Sequence, residues 1–208
     1  NHAKDVGEIG KTVFGNKGRM SVPFEFPNFV LNKFTISNFN RLYFYKQWRA
    51  RSFNKQHISG YFYPLDAISH WNLIYGRTGF LQYQFVIPVE QYSVLSDVLK
   101  MISDAAAGSF LAVLKEFGKI KSLGMLSFPR EGVCLALDFP NKGKATFDLL
   151  NRLDSLVIEV GGAVYPAKDA RMSSTMFYKS FPKAEEFSQY IDNQFSSDFW
   201  ARITEGNE

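Results

Sequence analysis

Polar and apolar positions alternate along Phe80-Leu-Gln-Tyr-Gln-Phe-Val-Ile-Pro88. That period of two predicts a strand, because successive side chains of an extended chain point to opposite faces. Leu81, Tyr83, Phe85 and Ile87 share one face, apolar enough to sit on a core. Phe80, Gln82, Gln84 and Val86 share the other. Two amides therefore stand two residues apart among aromatic and aliphatic neighbours. An amide carries donors and an acceptor and needs partners wherever it is buried. Gln82 and Gln84 either bond neighbouring backbone near a sheet edge or form the floor of a pocket that hydrogen-bonds a polar ligand.

The elements after this strand follow from the same patterning. Val89 to Ala106 has helical spacing, with Tyr92, Leu95, Val98, Leu99, Ile102 and Ala106 on one face and Gly108 as the stop. Phe110 to Phe117 reads as a strand with Leu111, Val113, Lys115 and Phe117 on one side. A loop runs from Gly118 to Gly132, with a short extended piece at Met125 to Phe128. Val133 to Phe139 is the next strand, with Cys134, Ala136 and Asp138 on its polar-tolerant face. Ala145 to Val160 is a second helix, with Leu149, Leu150, Leu153, Leu156, Val157 and Val160 inward and Gly161-Gly162 as its cap. Ala163 to Tyr165 completes the set. Strand, helix, strand, strand, helix, strand is the split βαβ arrangement. The expected class is α+β: an antiparallel sheet with a ferredoxin-like βαββαβ core, helices on one face, and extra N- and C-terminal helices. If the registers agree, the free face carries Gln82, Gln84, Lys115, Phe117 and Asp138 together. That grouping favours a pocket over a core accident.

Outside this core the pattern is weaker. Residues 1 to 25 predict an extended lead-in. Asn28 to Tyr45 predicts two short helices with Ser37 or Asn38 as a cap between them. Lys46 to His57 has four cations and no carboxylate. It is a solvated loop or a basic lid facing a phosphate or an anionic membrane face. Ala67 to Tyr75 predicts a short helix with Asp66 near its start. Tyr165-Pro-Ala-Lys-Asp-Ala-Arg171 holds four polar side chains around a proline. Met172 to Phe177 and Glu185 to Ile191 read as short helical stretches, with Pro182 as a break between them, and Phe195 to Ile203 closes the chain.

Composition narrows the class. Of the 208 residues, 46% are apolar and 21% charged, which is globular rather than disordered. Aromatics are abundant, with 21 Phe, 10 Tyr and 3 Trp, in the manner of binding surfaces. A formal charge of +4 is too small to argue for nucleic acid. Cys134 is the single cysteine, so no internal disulfide framework exists. The sequence has no Gly-x-Gly-x-x-Gly, no P-loop and no metal-ligand spacing, and His2, His57 and His70 are scattered. The residues describe a binding face without a redox or hydrolytic engine of its own.

Several longer motifs point to a family. They are Phe62-Tyr-Pro-Leu-Asp66, Trp71-Asn72, Tyr75-Gly76, Gly79 through Pro88, Ser109 through Gly118, Leu126-Ser-Phe-Pro129, Asp138-Phe-Pro140 and Tyr165 through Arg171. In this order they resemble the C-terminal half of decaprenylphosphoryl-β-D-ribose 2′-oxidases, within the vanillyl-alcohol-oxidase-like, FAD-linked oxidases. The resemblance spans roughly residues 23 to 203. It implies a linker at 1–22 leading from an FAD-binding domain, a substrate-binding cap domain at 23–164, and a segment at 165–208 that returns to the FAD domain. It implies FAD as cofactor, held mainly by that other domain, and oxidation of a sugar secondary alcohol to a ketone. Gln82, Gln84, Lys115, Phe117, Cys134, Ala136, Asp138 and Tyr165 would line the substrate site. Lys168 would be the catalytic cation, and Tyr165 and Lys168 would meet the flavin.

The resemblance also implies partners and place: the FAD domain, a lipid-phosphate sugar, a partner reductase, contact with a membrane surface, no nucleic acid, and a cytoplasmic location at the inner membrane face. The sequence departs from the family pattern at three positions. Ala136 stands where the family has a pocket cysteine, with Cys134 two residues earlier on the same face. Phe62 replaces a frequent tyrosine and Tyr43 a frequent tryptophan. These differences bear on the substrate more than on the reaction. The alternatives are another FAD-linked alcohol or aldonolactone oxidase, and a free-standing ferredoxin-like binding module. Loss of contact with a flavin domain is expected to expose an apolar face and to favour association or rearrangement of residues 165 to 208.

Overall fold

A computed structural model describes residues 20–27, 30, 32–46, 51, 53, 55, 62, 68–109, 111–168, 170–192 and 194–205. Its centre is a four-stranded antiparallel sheet. The strands are β3 (Phe80–Ile87), β4 (Ala112–Phe117), β5 (Gly132–Pro140) and β6 (Ala163–Val164), in the spatial order β4-β5-β3-β6. Two helices complete the βαββαβ unit. α2 (Val94–Asp104) lies between β3 and β4, and α3 (Lys144–Glu159) lies between β5 and β6. This is the α+β architecture that the alternation predicted. The outer elements are β1 (Met20–Ser21), which pairs with β2 (Ile68–Ser69), α1 (Lys33–Tyr45), α4 (Ser174–Ser180), α5 (Ala184–Ser188) and α6 (Asp198–Glu205).

The core lies on the helix side of the sheet. Tyr83, Phe85 and Ile87 of β3 and Val133, Leu135, Leu137 and Phe139 of β5 face Val94, Leu95, Val98 and Ile102 of α2 and Leu149, Leu150, Leu153 and Val157 of α3. The apolar positions of each helix recur every three to four residues, so burying them turns one stripe inward. Gly161 ends α3 at φ +72°. A Cβ on Gly162 would stand 2.7 Å from the Val86 carbonyl oxygen, so only glycine lets α3 close onto the sheet there. Met172, Met176, Phe177, Phe181, Ala184 and Ile203 belong to the same core. α4 is tied to the sheet, with the Val164 amide donating to Ser180 Oγ and Arg130 Nη2 donating to the Ser180 carbonyl.

Several element boundaries differ from the sequence expectation. The two short helices expected over Asn28 to Tyr45 are one helix. Asn32 Oδ1 accepts from the amides of Phe34 and Thr35, and Asn38 donates along the helix to the Phe34 carbonyl, so Asn38 does not cap a second helix. The helix expected at Ala67 to Tyr75 is β2 followed by a 3₁₀ turn at Trp71–Tyr75, because His70 takes a left-handed conformation at φ 57°. Asp66 lies outside the described residues. The long helix of Val89 to Ala106 opens with a separate 3₁₀ turn and ends before Ala106, whose φ is 48°. Tyr92 and Leu99 face solvent rather than the core. Met125 to Phe128 is a turn, not an extended piece. No described helix is long and apolar enough to cross a membrane.

Candidate functional site

Strand register brings the polar positions of three strands onto one face. Gln82 stands opposite Asp138, Gln84 opposite Ala136 and Val86 opposite Cys134. On the far side of β5, Val113 stands opposite Ala136, Lys115 opposite Cys134 and Phe117 opposite Gly132. Directly opposed residues share a face. Gln82, Gln84, Lys115, Phe117, Cys134, Ala136 and Asp138 are therefore on the side of the sheet away from α2 and α3. The Tyr165 amide donates to the Gln84 carbonyl at 2.8 Å, which carries Tyr165 to the edge of the same face. The 3₁₀ turn Pro166–Lys168 follows and leaves Lys168 exposed.

Aromatic rings border this polar strip at both ends. At one end Tyr75 stacks on Phe80 with centroids 4.5 Å apart, and Trp71 lies 5.3 Å from Phe80. At the other, Phe128 packs 4.6 Å from Tyr165 and edge-on to Phe117 at 6.1 Å. The loop after β4 thus folds back over part of the face, which is less open than two helix layers on one side would imply. Tyr75 and Phe128 are contributors that alternation within strands could not reveal. Both lie outside the sheet. The signals available in the sequence were the Tyr75-Gly76 and Leu126-Ser-Phe-Pro129 motifs.

The depths of the site residues differ. Lys115 and Lys168 are exposed, and Gln82, Gln84, Phe117, Ala136 and Tyr165 are half-buried. Asp138 is buried at 2% exposure. It accepts hydrogen bonds from the Gln82 side chain and from Tyr75 Oη at 3.5 Å, and its own amide donates to Ser109 Oγ at 2.9 Å. Burial pushes its carboxyl above the ordinary range, while the Gln82 and Tyr75 bonds and the nearby Lys168 charge pull it back. Cys134 is fully buried, and its sulfur accepts from Gln84 Nε2 at 3.2 Å. Burial raises its thiol pKa, against the Gln84 bond and the Lys115 charge. Cys134 therefore lies beneath Gln84 rather than beside Ala136 at the surface of the strip.

Arg171 is placed elsewhere. It turns to the helix side and pairs with Asp154 of α3 at 2.8 Å. A shallow depression at the edge of β3 is lined by Gln82, Tyr83, Asp154, Lys168 and Arg171, so the two sides meet there. Of the basic stretch 46 to 57, only Lys46, Arg51, Phe53 and Lys55 are described, and Asp169 is not. Among the described residues no group of three or more His, Cys, Asp or Glu side chains could hold a metal ion. The strip can hydrogen-bond a polyol through Gln82 and Gln84, stack against a ring or chain through its aromatic ends, and present ammonium groups from two sides.

No family model matches the chain. It is 35% identical over 189 residues to a decaprenylphosphoryl-β-D-ribose oxidase of Mycolicibacterium smegmatis, a match covering 88% of this chain and 40% of that protein. It is 30% identical over 115 residues to an "uncharacterized protein in mprA 5′ region" of Streptomyces coelicolor, covering 53% of this chain and 31% of that one. The chain thus spans less than half the length of these relatives. The similarity read from the motifs holds: along most of its length the chain is decaprenylphosphoryl-ribose-oxidase-like.

Proposed function

We propose that this chain is the substrate-binding part, with the returning C-terminal segment, of an FAD-linked oxidase that converts a sugar secondary alcohol to a ketone. The substrate class is a polyprenylphosphoryl ribose or a near relative. One observation carries the reading. The register gathers Gln82, Gln84 and Asp138 between two aromatic borders, with Lys168 exposed on the turn that follows β6. The 35% identity to a named ribose oxidase supports the chemistry.

The residues fit the edge of a flavin ring and not its nucleotide. Lys168 and Tyr165 present an exposed ammonium and a half-buried phenol on one turn. The sequence has no glycine-rich phosphate loop. Tyr165 and Lys168 would meet the edge of a flavin, which would supply a hydride acceptor for the sugar carbon. The chain's own residues position and polarise. Gln82 and Gln84 hold sugar hydroxyls through their amides. The Lys168 ammonium donates to the reacting hydroxyl oxygen as negative charge develops there. Tyr75 and Gln82 donate to the buried Asp138 carboxyl and hold it beneath the strip. Phe117, Phe128 and Tyr165 exclude water from one end of the strip.

The domain reading follows: 1–22 as linker from the flavin half, 23–164 as substrate domain, and 165–208 as the segment that returns. Lys46, Arg51 and Lys55 would meet the lipid phosphate near an inner membrane face, and a reductase would take the electrons. Ala136 in place of the family's cysteine keeps a second reading, another FAD-linked alcohol or aldonolactone oxidase. Anaerobic addition of polyprenylphosphoryl ribose to the full-length protein tests both. Bleaching of a bound flavin band is expected, and Lys168→Met should slow it about 10²–10³-fold. Bound flavin without bleaching would transfer the reading to other polyols. A protein that never binds flavin would overturn it in favour of a binding module.

A further inference from the structure

We propose that Arg171, Asp154 and Tyr83 are positioning residues that form a clamp on the helix side of the sheet and set where Lys168 stands on the other side. Only the role given to Lys168 rests on the function proposed above. The clamp joins three elements. Arg171 Nη1 donates to Asp154 Oδ2 at 2.8 Å and to Asn151 Oδ1 at 2.7 Å. Tyr83 Oη donates to the other carboxylate oxygen, Asp154 Oδ1, at 2.7 Å. Each oxygen of one carboxylate thus receives its own donor, one from β3 and one from the segment after β6. The Arg171 and Asp154 side chains are only 15% and 11% exposed. A pair this sheltered is stiff, because parting it would leave a charge in a poorly solvated place.

Lys168 is suspended between two anchors. Upstream, Tyr165 is tied by its amide to the Gln84 carbonyl, and the Lys168 amide closes the turn onto the Tyr165 carbonyl at 3.2 Å. Downstream, three residues on, Arg171 is tied to α3. The same strand supplies both ends of the arrangement: Tyr83 enters the clamp, while its neighbours Gln82 and Gln84 face the site. A lysine stem is flexible, so the place of its ammonium depends on how firmly its backbone is held. A displacement of about 1 Å at such a group is enough to cost about 10²-fold in rate.

The test uses the full-length, flavin-loaded protein with Arg171→Lys and, as the variant least disturbing to packing, Tyr83→Phe. Two readouts are taken. The first is the rate at which the Lys168 amine is acetylated by trace acetic anhydride, measured by peptide mass spectrometry with Lys115 as internal reference. The second is the split between kcat and KM. We expect kcat to fall about 100-fold for Arg171→Lys and about tenfold for Tyr83→Phe, with KM moving less than about threefold. Lys168 acetylation should change about threefold or more with Lys115 unaltered, because one clamp serves one turn. Folded variants whose Lys168 acetylates at the wild-type rate would overturn the clamp, as would equal changes at Lys115. Should the wild-type protein oxidise no sugar alcohol while Lys168 acetylation still follows Tyr83 and Arg171, the clamp stands and the oxidase reading falls.

Discussion

Tyr83 and Gln84 are neighbours on β3, and the two sides of the sheet they face are built on different principles. On the Tyr83 side, Phe85, Leu153, Val98 and Val157 are fully buried, and Tyr83 Oη and Arg171 Nη1 each donate to one oxygen of the Asp154 carboxylate. On the Gln84 side, side chains range from the fully buried Cys134 to the exposed Lys115, and the amides are only half-buried. The first side is filled with its own atoms. The second has polar groups whose hydrogen-bonding capacity is only partly used among the described residues, as a surface that receives a ligand needs. The difference teaches that one strand can serve stability and recognition at once, because its period of two keeps the two duties apart.

Substitutions that separate stability from recognition sharpen this contrast. The largest expected loss of stability is at the filled side: Leu153→Ala should cost about 2–5 kcal/mol in urea unfolding, because it opens a cavity among fixed neighbours. A cost under about 1 kcal/mol would mean that the core there is loosely packed. On the other side, Gln84→Leu removes one weak bond to sulfur and should leave stability within about 1 kcal/mol of wild type. Its effect belongs to the ligand, with half-saturation by the sugar rising about tenfold in the full-length protein. An equal loss of stability and affinity would break the division between the faces.

The smallest effect is expected at Asp138, the one carboxylate buried beneath the strip. Its carboxyl lies above the ordinary range because of burial. The folded chain then holds a proton that the unfolded chain has released. Stability from this group is greatest below the unfolded value and declines as pH rises through the interval up to the folded one. Asp138→Asn should remove that decline, so the variant gains on wild type as pH climbs above about 4. A gap between the two proteins that does not change with pH would show that the hydrogen bonds from Gln82 and Tyr75 fully offset the burial.

Much of this was legible in the alternation. The faces of β3, β4 and β5 follow from side-chain period alone, and antiparallel pairing then brought Gln82 to Asp138 and Lys115 to Cys134. The helices α2 and α3 were legible from Val98, Ile102, Leu153 and Val157. What stayed hidden depends on contacts between distant residues. No local pattern tells that Arg171 will turn away from Lys168 to meet Asp154, or that Phe128 will cover Tyr165. Boundaries failed where a side chain had two uses. Asn38 could cap a helix or bond back along one, and Ala106 could extend a helix or leave it at a positive φ. Cys134 shares the expected face, but its burial and its bond to Gln84 could not be read from the alternation.

The position of β3 in the pairing order has a consequence for how the chain is made. Its partners are residues 133–140 and 163–164, so the strand is synthesised some fifty residues before the first of them and about eighty before the second. During that interval Phe80 to Ile87 leaves the ribosome as eight uncharged, strand-prone residues with nothing to pair with. The order of synthesis leaves this segment open to wrong partners, and Pro88 directly after it interrupts extended pairing that spreads from it. A recognition surface carried on the earliest strand of the sheet is therefore the last part of the domain to become safe.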